Sequence, residues 1–261
     1  MPEIETNGIR VHYELSGQED RPVVMLSNSL GTNHAMWDPQ MPELSGRWRV
    51  LRYDTRGHGR SAAPEGHYTI EQLALDAIGL LDALAIERVH FCGLSMGGMI
   101  GQVLGARHGE RFLSLALCAT ACHMPQRDIW DGRIRTAREQ GMAPLADGVV
   151  ERWFTEAFRA EPRPEVERVR EMILATPPHG YAGCCAAIRD MDLRDLIQDI
   201  EVRTLIIAGA KDPATPVEAV RAIEERVRGS SLTVIPEAAH LVNIEQTSAF
   251  NRALSSFLGR A

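Results

Sequence analysis

The amino-acid sequence predicts an α/β fold, with a mostly parallel central sheet, helices on both faces and an inserted helical cap. Short apolar runs of strand length alternate with longer segments whose apolar residues recur at helical spacing. Such alternation requires right-handed crossovers and produces a parallel sheet that helices cover on both faces. One interval of about 80 residues breaks the alternation, and it is far longer than a crossover connection needs.

The strand predictions depend on apolar runs and on turn residues. An Asn7-Gly8 pair between two alternating segments indicates a hairpin. The predicted strands lie at Ile4–Leu15 (the hairpin), Val23–Leu26, Val50–Tyr53, Val89–Cys92, Phe112–Ala119, Thr204–Ala208 and Leu232–Ile235. The predicted helices outside the long interval lie at Ile70–Ala85, Met96–Ala106, Val217–Val227 and Ser248–Leu258.

The long interval has helical patterns of its own, at Asp128–Gln140, Pro144–Phe158, Pro164–Ala175 and Tyr181–Asp190. We therefore predict a core made of residues 1–122 and 191–261, with a helical cap at 123–190 over the strand ends. The alternative is an independent helical domain on a linker. The cap is favoured because no Gly/Ser-rich linker flanks the segment.

Composition excludes several classes of function. The 261 residues carry a net charge of −7 with no basic stripe, which argues against nucleic acid or an anionic membrane as a partner. Lys211 is the only lysine among 28 cationic residues, so a single arginine is a weak functional signal in this chain.

Cysteine usage and the N-terminal sequence bear on the compartment. The five cysteines include no Cys-x-x-Cys pair, and an odd number is typical of reduced thiols in the cytoplasm. The N-terminal segment is acidic and lacks an apolar stretch of signal length. No window has the ~18 uninterrupted apolar residues of a membrane span. We expect a cytoplasmic protein; the sequence leaves its oligomeric state open.

A Gly-Leu-Ser-Met-Gly segment at 93–97 follows a predicted strand and opens a predicted helix. Small residues two positions either side of Ser95 allow a sharp strand-to-helix turn, which exposes the serine hydroxyl above the sheet. The turn also directs the Met96 N–H towards the site, at the positive end of the helix dipole. The alternative is a glycine-rich turn with a structural serine, and the placement between strand and helix favours the nucleophile.

Two further residues follow later strands. Asp212 lies in the turn after the strand at 204–208, and His240 lies in the loop after the last strand. Serine, acid and histidine in this chain order are typical of a hydrolytic triad, in which His240 removes the proton of Ser95 and Asp212 orients His240. Asp212 in an ordinary Asp-Pro turn is the alternative for the acid. His58 is the strongest competing histidine, and we favour a structural role for it in its loop.

The loop Ser-Asn-Ser-Leu-Gly at 27–31 follows an early strand. In triad hydrolases this position supplies the second donor of an oxyanion hole. We therefore expect the Leu30 and Met96 N–H groups to bind the oxyanion. The more usual His-Gly pair of such loops is replaced here by Asn28-Ser29, and an ordinary Asn/Ser turn is the alternative.

These residues together resemble the 3-oxoadipate enol-lactonases of the α/β-hydrolase superfamily. Ser95, Asp212 and His240 match the family's triad, and the Ser-Asn-Ser-Leu-Gly loop and the segment 183–192 are similar to its oxyanion loop and cap. The resemblance implies hydrolysis of an enol-lactone that carries a carboxylate, giving 3-oxoadipate in aromatic catabolism. It also implies a reaction through a serine acyl-enzyme, which requires no metal and no organic cofactor.

A carboxylated substrate needs a cation in its pocket. The candidates are arginines of the predicted cap near aromatic residues: Arg133, which follows Trp130, Arg152, which precedes Trp153, and Arg189. Trp130 and Trp153 are candidate pocket residues, with packing inside the cap as the alternative. For the arginines the alternative is a solvated helix face.

Other functions of proteins with this fold are weaker candidates. A general carboxylesterase or a cofactor-free perhydrolase would use the same triad without a carboxylate site. Epoxide hydrolases and dehalogenases are disfavoured because they have an aspartate where Ser95 stands. A non-catalytic ligand receptor of the hydrolase fold is the remaining alternative, and it would bind tightly with negligible turnover.

Overall fold

The protein is organised around one sheet in the computed structural model, which describes residues 2–259. The strands are β1 (Glu3–Thr6), β2 (Ile9–Ser16), β3 (Val23–Ser27), β4 (Arg49–Tyr53), β5 (Val89–Leu94), β6 (Phe112–Cys118), β7 (Thr204–Gly209) and β8 (Ser231–Ile235). Their order in the sheet is β1-β2-β4-β3-β5-β6-β7-β8. The first two pairings, β1 with β2 and β2 with β4, are antiparallel, and the others are parallel. The predicted α/β fold is confirmed.

Helices pack on the sheet, and five of them lie in the long segment between β6 and β7. The helices are α1 (Met41–Leu44), α2 (Ile70–Ala83), α3 (Met96–Arg107), α4 (Arg127–Gln140), α5 (Ala143–Trp153), α6 (Glu156–Arg159), α7 (Pro164–Ala175), α8 (Pro178–Asp190), α9 (Val217–Glu224), α10 (Val242–Glu245) and α11 (Thr247–Leu258). The short α1 and α10, and a 3-10 helix at His34–Gln40, were not predicted because segments this short carry no readable periodicity.

One helix prediction was wrong. The single helix expected at 144–158 is two helices, α5 and α6, separated by Phe154 in an extended conformation (φ −129°, ψ 146°). Thr155 then caps α6, because its side chain accepts a hydrogen bond from the Phe158 N–H. Helix α9 also ends three residues earlier than expected, at Glu224.

The hairpin at the start of the chain follows its turn residues. Asn7 and Gly8 both adopt positive φ (46° and 73°), as a two-residue turn between twisted antiparallel strands requires. Thr6 pairs with Ile9 across the turn, which sets the register of β1 on β2.

The insertion between β6 and β7 contains α4 to α8, and α4 packs along α8. Its two ends meet, since His123 and Asp192 form an isolated antiparallel bridge. Helix α8 also packs on the core, where a Cβ on Gly180 would overlap the backbone of Gly57. These contacts support the proposed boundaries of the cap and disfavour a separate domain on a linker.

The parallel strands end at one edge of the sheet, and ligands bind at this edge in open α/β sheets. The loops after β3, β5, β7 and β8 contain Leu30, Ser95, Asp212 and His240, respectively. The topology thus brings together residues that are up to 210 positions apart in the chain, from Leu30 to His240.

Candidate active site

Ser95 lies at the turn between β5 and α3 in a strained conformation. Its φ of 57° and ψ of −115° are in a region that costs a non-glycine residue about 1–3 kcal/mol. Two hydrogen bonds hold the turn, from the Ser95 N–H to the Cys118 carbonyl (2.8 Å) and from Thr120 Oγ1 to the Ser95 carbonyl (2.8 Å). The side chain is left to face the cavity above the sheet.

The glycines of the motif have steric causes that the structure shows directly. A Cβ on Gly93 would overlap the carbonyl of Gly97, and a Cβ on Gly97 would overlap the carbonyl of Ser27. The turn therefore places α3 against β5 and β3 at a distance that only glycine permits.

His240 and Asp212 form a buried hydrogen-bonded pair. His240 Nδ1 lies 2.8 Å from Asp212 Oδ2, and both side chains are at most 3% exposed. The pair fixes the ring so that Nδ1 carries the proton for Asp212 and Nε2 is the free nitrogen. His240 faces the same cavity as Ser95. Ser95 Oγ makes no hydrogen bond to His240 within residues 2–259.

Asp212 remains a carboxylate in spite of its burial. Burial alone would raise its pKa, but the neighbouring His240 and the hydrogen bonds from His240 and Thr215 outweigh burial and lower the pKa. Its Oδ1 accepts from the Ala214 and Thr215 N–H groups (2.8 and 3.1 Å), and its Oδ2 accepts from Thr215 Oγ1 (2.6 Å). An ionised carboxylate at this distance from a histidine can stabilise an imidazolium ring.

The loop at 27–31 is held by Asn28, which is fully buried. Its amide nitrogen donates to the carbonyls of Ser29 and Thr32 (3.1 and 2.9 Å), and its Oδ1 accepts from Thr55 N–H and Oγ1 (3.3 and 2.8 Å). This uses the full hydrogen-bonding capacity of an asparagine. Asn28 is therefore a structural residue of the loop.

The Leu30 and Met96 N–H groups are both free donors: neither has an acceptor among the described residues. For Met96 this follows from its place in the first turn of α3, where N–H groups lack intrahelical partners. Leu30 and Ser95 line the same cavity, so the loop and the helix start meet at one position. Two free N–H groups, one beside Ser95 in the chain and one on a loop that lines the same cavity as Ser95, are suited to an oxyanion hole.

His58 holds the loop at 27–31 through a hydrogen bond. Its Nε2 accepts from the Gly31 N–H at 2.8 Å, and its Nδ1 lies 3.2 Å from the Arg56 carbonyl. Burial lowers its pKa to about 4, against smaller opposing effects of the Arg56 carbonyl and Asp54. A neutral His58 with both nitrogens engaged supports the structural role that we predicted for it.

The cavity has a volume of about 200 Å³ and extends from Ser95 under the insertion. Trp130, Arg133, Arg152 and Trp153 line it. The Trp153 ring also packs on the His240 ring, with 5.8 Å between centroids.

The two arginines of the wall differ from the third candidate. Neither Arg133 nor Arg152 forms an ion pair with a carboxylate among the described residues, and the Arg133 guanidinium lies 4.6 Å above the Trp130 ring. Burial and then the nearby Arg133 charge lower the pKa of Arg152. Arg189 instead pairs with Asp131 and Asp190 (both 2.6 Å) and is absent from the cavity wall.

Comparisons with known proteins place this geometry in a family. The model of the alpha/beta hydrolase fold family matches residues 22–247. The chain belongs to the α/β-hydrolase family. It is 40% identical to 3-oxoadipate enol-lactonase 2 of Acinetobacter baylyi, over 97% of this chain and 94% of that protein.

Solved structures agree with this relationship. The enol-lactonase of Burkholderia xenovorans LB400 superposes with a TM-score of 0.97 at 42% identity, over 99% of this chain and 100% of that one. A thermophilic esterase of Thermogutta terrifontis superposes with a TM-score of 0.93 at 27% identity, over 100% and 99%. The resemblance to enol-lactonases is confirmed.

Sequence reasoning missed several residues of this α/β-hydrolase site. Thr215 donates a hydrogen bond to Asp212, and its position three residues after Asp212, in the turn that begins with Asp212-Pro213, is the only signal that pointed to it. The remaining cavity wall consists of Met99, Met124, Gln126, Ile129, Ile188, Pro213 and Ala214. These residues form no recognisable sequence motif, because they come together only when the insertion packs over the strand ends.

Among the described residues, one group has the composition of a metal site: His12, His34 and Asp54. Asp54 accepts hydrogen bonds from His12 Nδ1 (2.9 Å), His34 Nδ1 (2.8 Å) and the N–H groups of His34 and Arg60 (2.8 and 2.9 Å). Four donors saturate the carboxylate. The group therefore fits a structural cluster that ties the hairpin to the loop after β4 of the α/β-hydrolase. No helix among residues 2–259 is long and apolar enough to cross a membrane.

Proposed function

We propose that the protein hydrolyses 3-oxoadipate enol-lactone, or a closely similar carboxylated enol-lactone, through a Ser95 acyl-enzyme. The observation that carries the proposal is the pair of arginines, Arg133 and Arg152. They form no ion pair with a carboxylate among residues 2–259, and they share one cavity wall with Ser95 and His240. A free carboxylate on the substrate would supply the missing partner. The enol-lactonase relatives support the same substrate class.

The chemistry begins at Ser95. His240 Nε2 takes the hydroxyl proton as Ser95 Oγ forms a bond to the lactone carbonyl carbon. The Leu30 and Met96 N–H groups hold the resulting oxyanion, and each such donor contributes about 3 kcal/mol in related sites. Asp212 stabilises the charged His240 during this step.

Collapse of the intermediate breaks the bond between the carbonyl carbon and the ring oxygen. The leaving group is an enol oxygen, which receives the proton from His240 and remains tethered to the acyl-enzyme. Its tautomerisation to a ketone removes the competing nucleophile. His240 then activates water, which releases the second carboxylate and restores Ser95. Apart from the attacking water, the groups that act in these steps are side chains and backbone N–H groups of this chain.

Arg133 is the residue that we assign to the substrate carboxylate, with Arg152 as a second cation and Trp130 and Trp153 as apolar walls. A charge-assisted hydrogen bond of this kind contributes roughly 1.5–3 kcal/mol, which corresponds to about 10- to 100-fold in affinity. Arg189 is left out of the site because Asp131 and Asp190 already neutralise it.

A cytoplasmic location is part of the same proposal. All five cysteines are free and buried, and Cys92 and Cys118 form no disulfide although their sulfur atoms are only 3.9 Å apart. Reduced thiols are typical of the cytoplasm.

The test is steady-state hydrolysis of 3-oxoadipate enol-lactone beside a neutral p-nitrophenyl ester, for wild type and Ser95→Ala. We expect fast lactone turnover that Ser95→Ala abolishes, and poor ester turnover. Lactone turnover that survives in Ser95→Ala would refute the assignment of Ser95 as the nucleophile.

A general carboxylesterase is the second candidate. The similarity to a solved esterase and the apolar part of the cavity wall, which includes Met99, Ile129 and Ile188, favour it. Turnover of the neutral ester that exceeds turnover of the lactone would support this candidate and would leave the roles of Ser95, His240 and Asp212 unchanged.

A further inference from the structure

The two residues that flank His240 are both attached to one short segment of the insertion. The Leu241 N–H donates to the Trp153 carbonyl at 3.1 Å. The Ala239 N–H donates to Glu245 Oε2 at 2.7 Å, and Glu245 Oε1 accepts from the Thr155 N–H at 3.0 Å and from Thr155 Oγ1 at 2.5 Å. The loop of the base is thus tied on both sides to the junction between α5 and α6.

Glu245 is the centre of this attachment, and it is unusual for a buried acid. It is 7% exposed, and its three bonded partners are two backbone N–H groups and one hydroxyl. It forms no ion pair among the described residues. A carboxylate is acceptor-only, so it suits a position that three donors surround.

The geometry points to Glu245 as a positioning residue that holds the His240 loop against the insertion, so that His240 Nε2 faces Ser95. This role rests on the proposed triad. Glu245 touches neither the cavity nor the reacting atoms, and it acts through Ala239 and Thr155. The same contacts explain why the Trp153 ring stays packed on the His240 ring, since Thr155 is anchored two residues away from Trp153.

The substitution that tests this role is Glu245→Gln. A glutamine of the same shape has one oxygen and one NH₂ group, so whichever way it turns, one side places a donor against a donor. The residue at 245 then loses its hydrogen bond either with Ala239 or with Thr155. A displacement of about 1 Å at a catalytic group costs up to about 100-fold in rate.

The readout is the rate at which a small fluorophosphonate labels Ser95, followed by mass spectrometry. This rate depends on Ser95 and His240 but not on recognition of a lactone. We expect Glu245→Gln to lower labelling and kcat by at least ~10-fold, with KM changed less than ~3-fold. Thermal unfolding of each variant separates this effect from loss of the fold.

A second pair of variants works from the other side of Glu245. Thr155→Val removes the hydroxyl that donates to Glu245, and Thr155→Ser keeps it. We expect Thr155→Val to slow labelling and Thr155→Ser to match wild type. The double variant of Glu245→Gln with Thr155→Val should be no slower than Glu245→Gln alone, because both break one network.

The outcomes separate the two hypotheses. Labelling of Ser95→Ala at the same protein site as wild type would refute the proposed nucleophile, and the role of Glu245 would be refuted with it. Absent labelling of Ser95→Ala, together with a wild-type rate in Glu245→Gln, would refute the positioning role alone. If Glu245→Gln does not fold, equal rates in Thr155→Val and Thr155→Ser would overturn the role.

Discussion

Asp212 Oδ2 lies 2.8 Å from His240 Nδ1 and also accepts from Thr215 Oγ1 at 2.6 Å, so one carboxylate oxygen holds both the ring and its own loop. An asparagine at 212 would keep the shape and remove the charge. It would also present an NH₂ group to one of its donors, which favours the wrong tautomer of His240.

We therefore expect Asp212→Asn to lower kcat on the order of 10³- to 10⁴-fold at neutral pH, on lactone and neutral ester alike. Thr215→Val is the matched control, because it removes one hydrogen bond to Asp212 and leaves the charge. We expect Thr215→Val to lower kcat by about tenfold. Steady-state kinetics decide the question, and an Asp212→Asn enzyme with more than a tenth of wild-type kcat would contradict the assignment.

Arg133 and Arg189 belong to neighbouring helices of the insertion and have different environments. Arg133 lines the cavity and pairs with no carboxylate in the part of the chain that the structure describes, whereas Arg189 is neutralised by Asp131 and Asp190. Arg133→Ala should therefore raise KM about 10- to 100-fold for a carboxylated lactone and little for a neutral ester. Arg189→Ala should leave KM unchanged for both the lactone and the neutral ester. An equal loss on both substrates in Arg133→Ala would exclude a carboxylate contact.

The sequence was informative where chemistry depends on strand ends. Ser95, Asp212 and His240 each follow a parallel strand, and parallel strands end at one edge, so chain order and apolar runs were enough to place them together. The oxyanion loop was placed by the same reasoning. Asn28, which departs from the usual His-Gly pair, proved to be the residue that holds this loop.

The sequence was uninformative where function depends on how the insertion packs. Arg133 and Arg189 are the same residue type in similar helices. Arg189 pairs with its neighbour Asp190 and with Asp131, 58 residues away, whereas Arg133 lines the cavity. Glu245 was missed for the same reason, since Thr155 is 90 residues away and becomes its partner only through tertiary packing. Phe154 continues the apolar pattern of α5, so the break between α5 and α6 was also hidden.

Gly97 illustrates a steric limit at the nucleophile turn. A Cβ at this position would overlap the Ser27 carbonyl, and both sides of the contact are backbone. Gly97→Ala should therefore lower the free energy of unfolding by about 1–3 kcal/mol. Gly132→Ala is the control, because Gly132 lies within α4 and a Cβ there would have no side chain or backbone from outside its own helical turn within 4 Å. That change should stabilise by about 0.5–1 kcal/mol. Urea unfolding measures both, and equal effects would refute the steric argument.

His58 gives a pH dependence of stability whose sign follows from its burial. Burial lowers its pKa from 6.5 to about 4, so between these values the unfolded chain binds a proton that the native protein does not. Stability from this group is present above pH 6.5 and is lost as the pH falls towards 4. The full loss is about 3 kcal/mol, since each tenfold change in proton affinity corresponds to about 1.4 kcal/mol.

His58→Gln isolates this contribution, because a glutamine oxygen accepts from the Gly31 N–H without titrating. We expect the free energy of unfolding of wild type to fall more steeply than that of the variant between pH 6.5 and 4. The two curves should therefore converge as the pH falls. His90, whose pKa burial also lowers to about 4, is present in both proteins and cancels from the comparison. Parallel curves would mean that His58 is protonated in the native protein, and a charged His58 is incompatible with an Nε2 that accepts from Gly31.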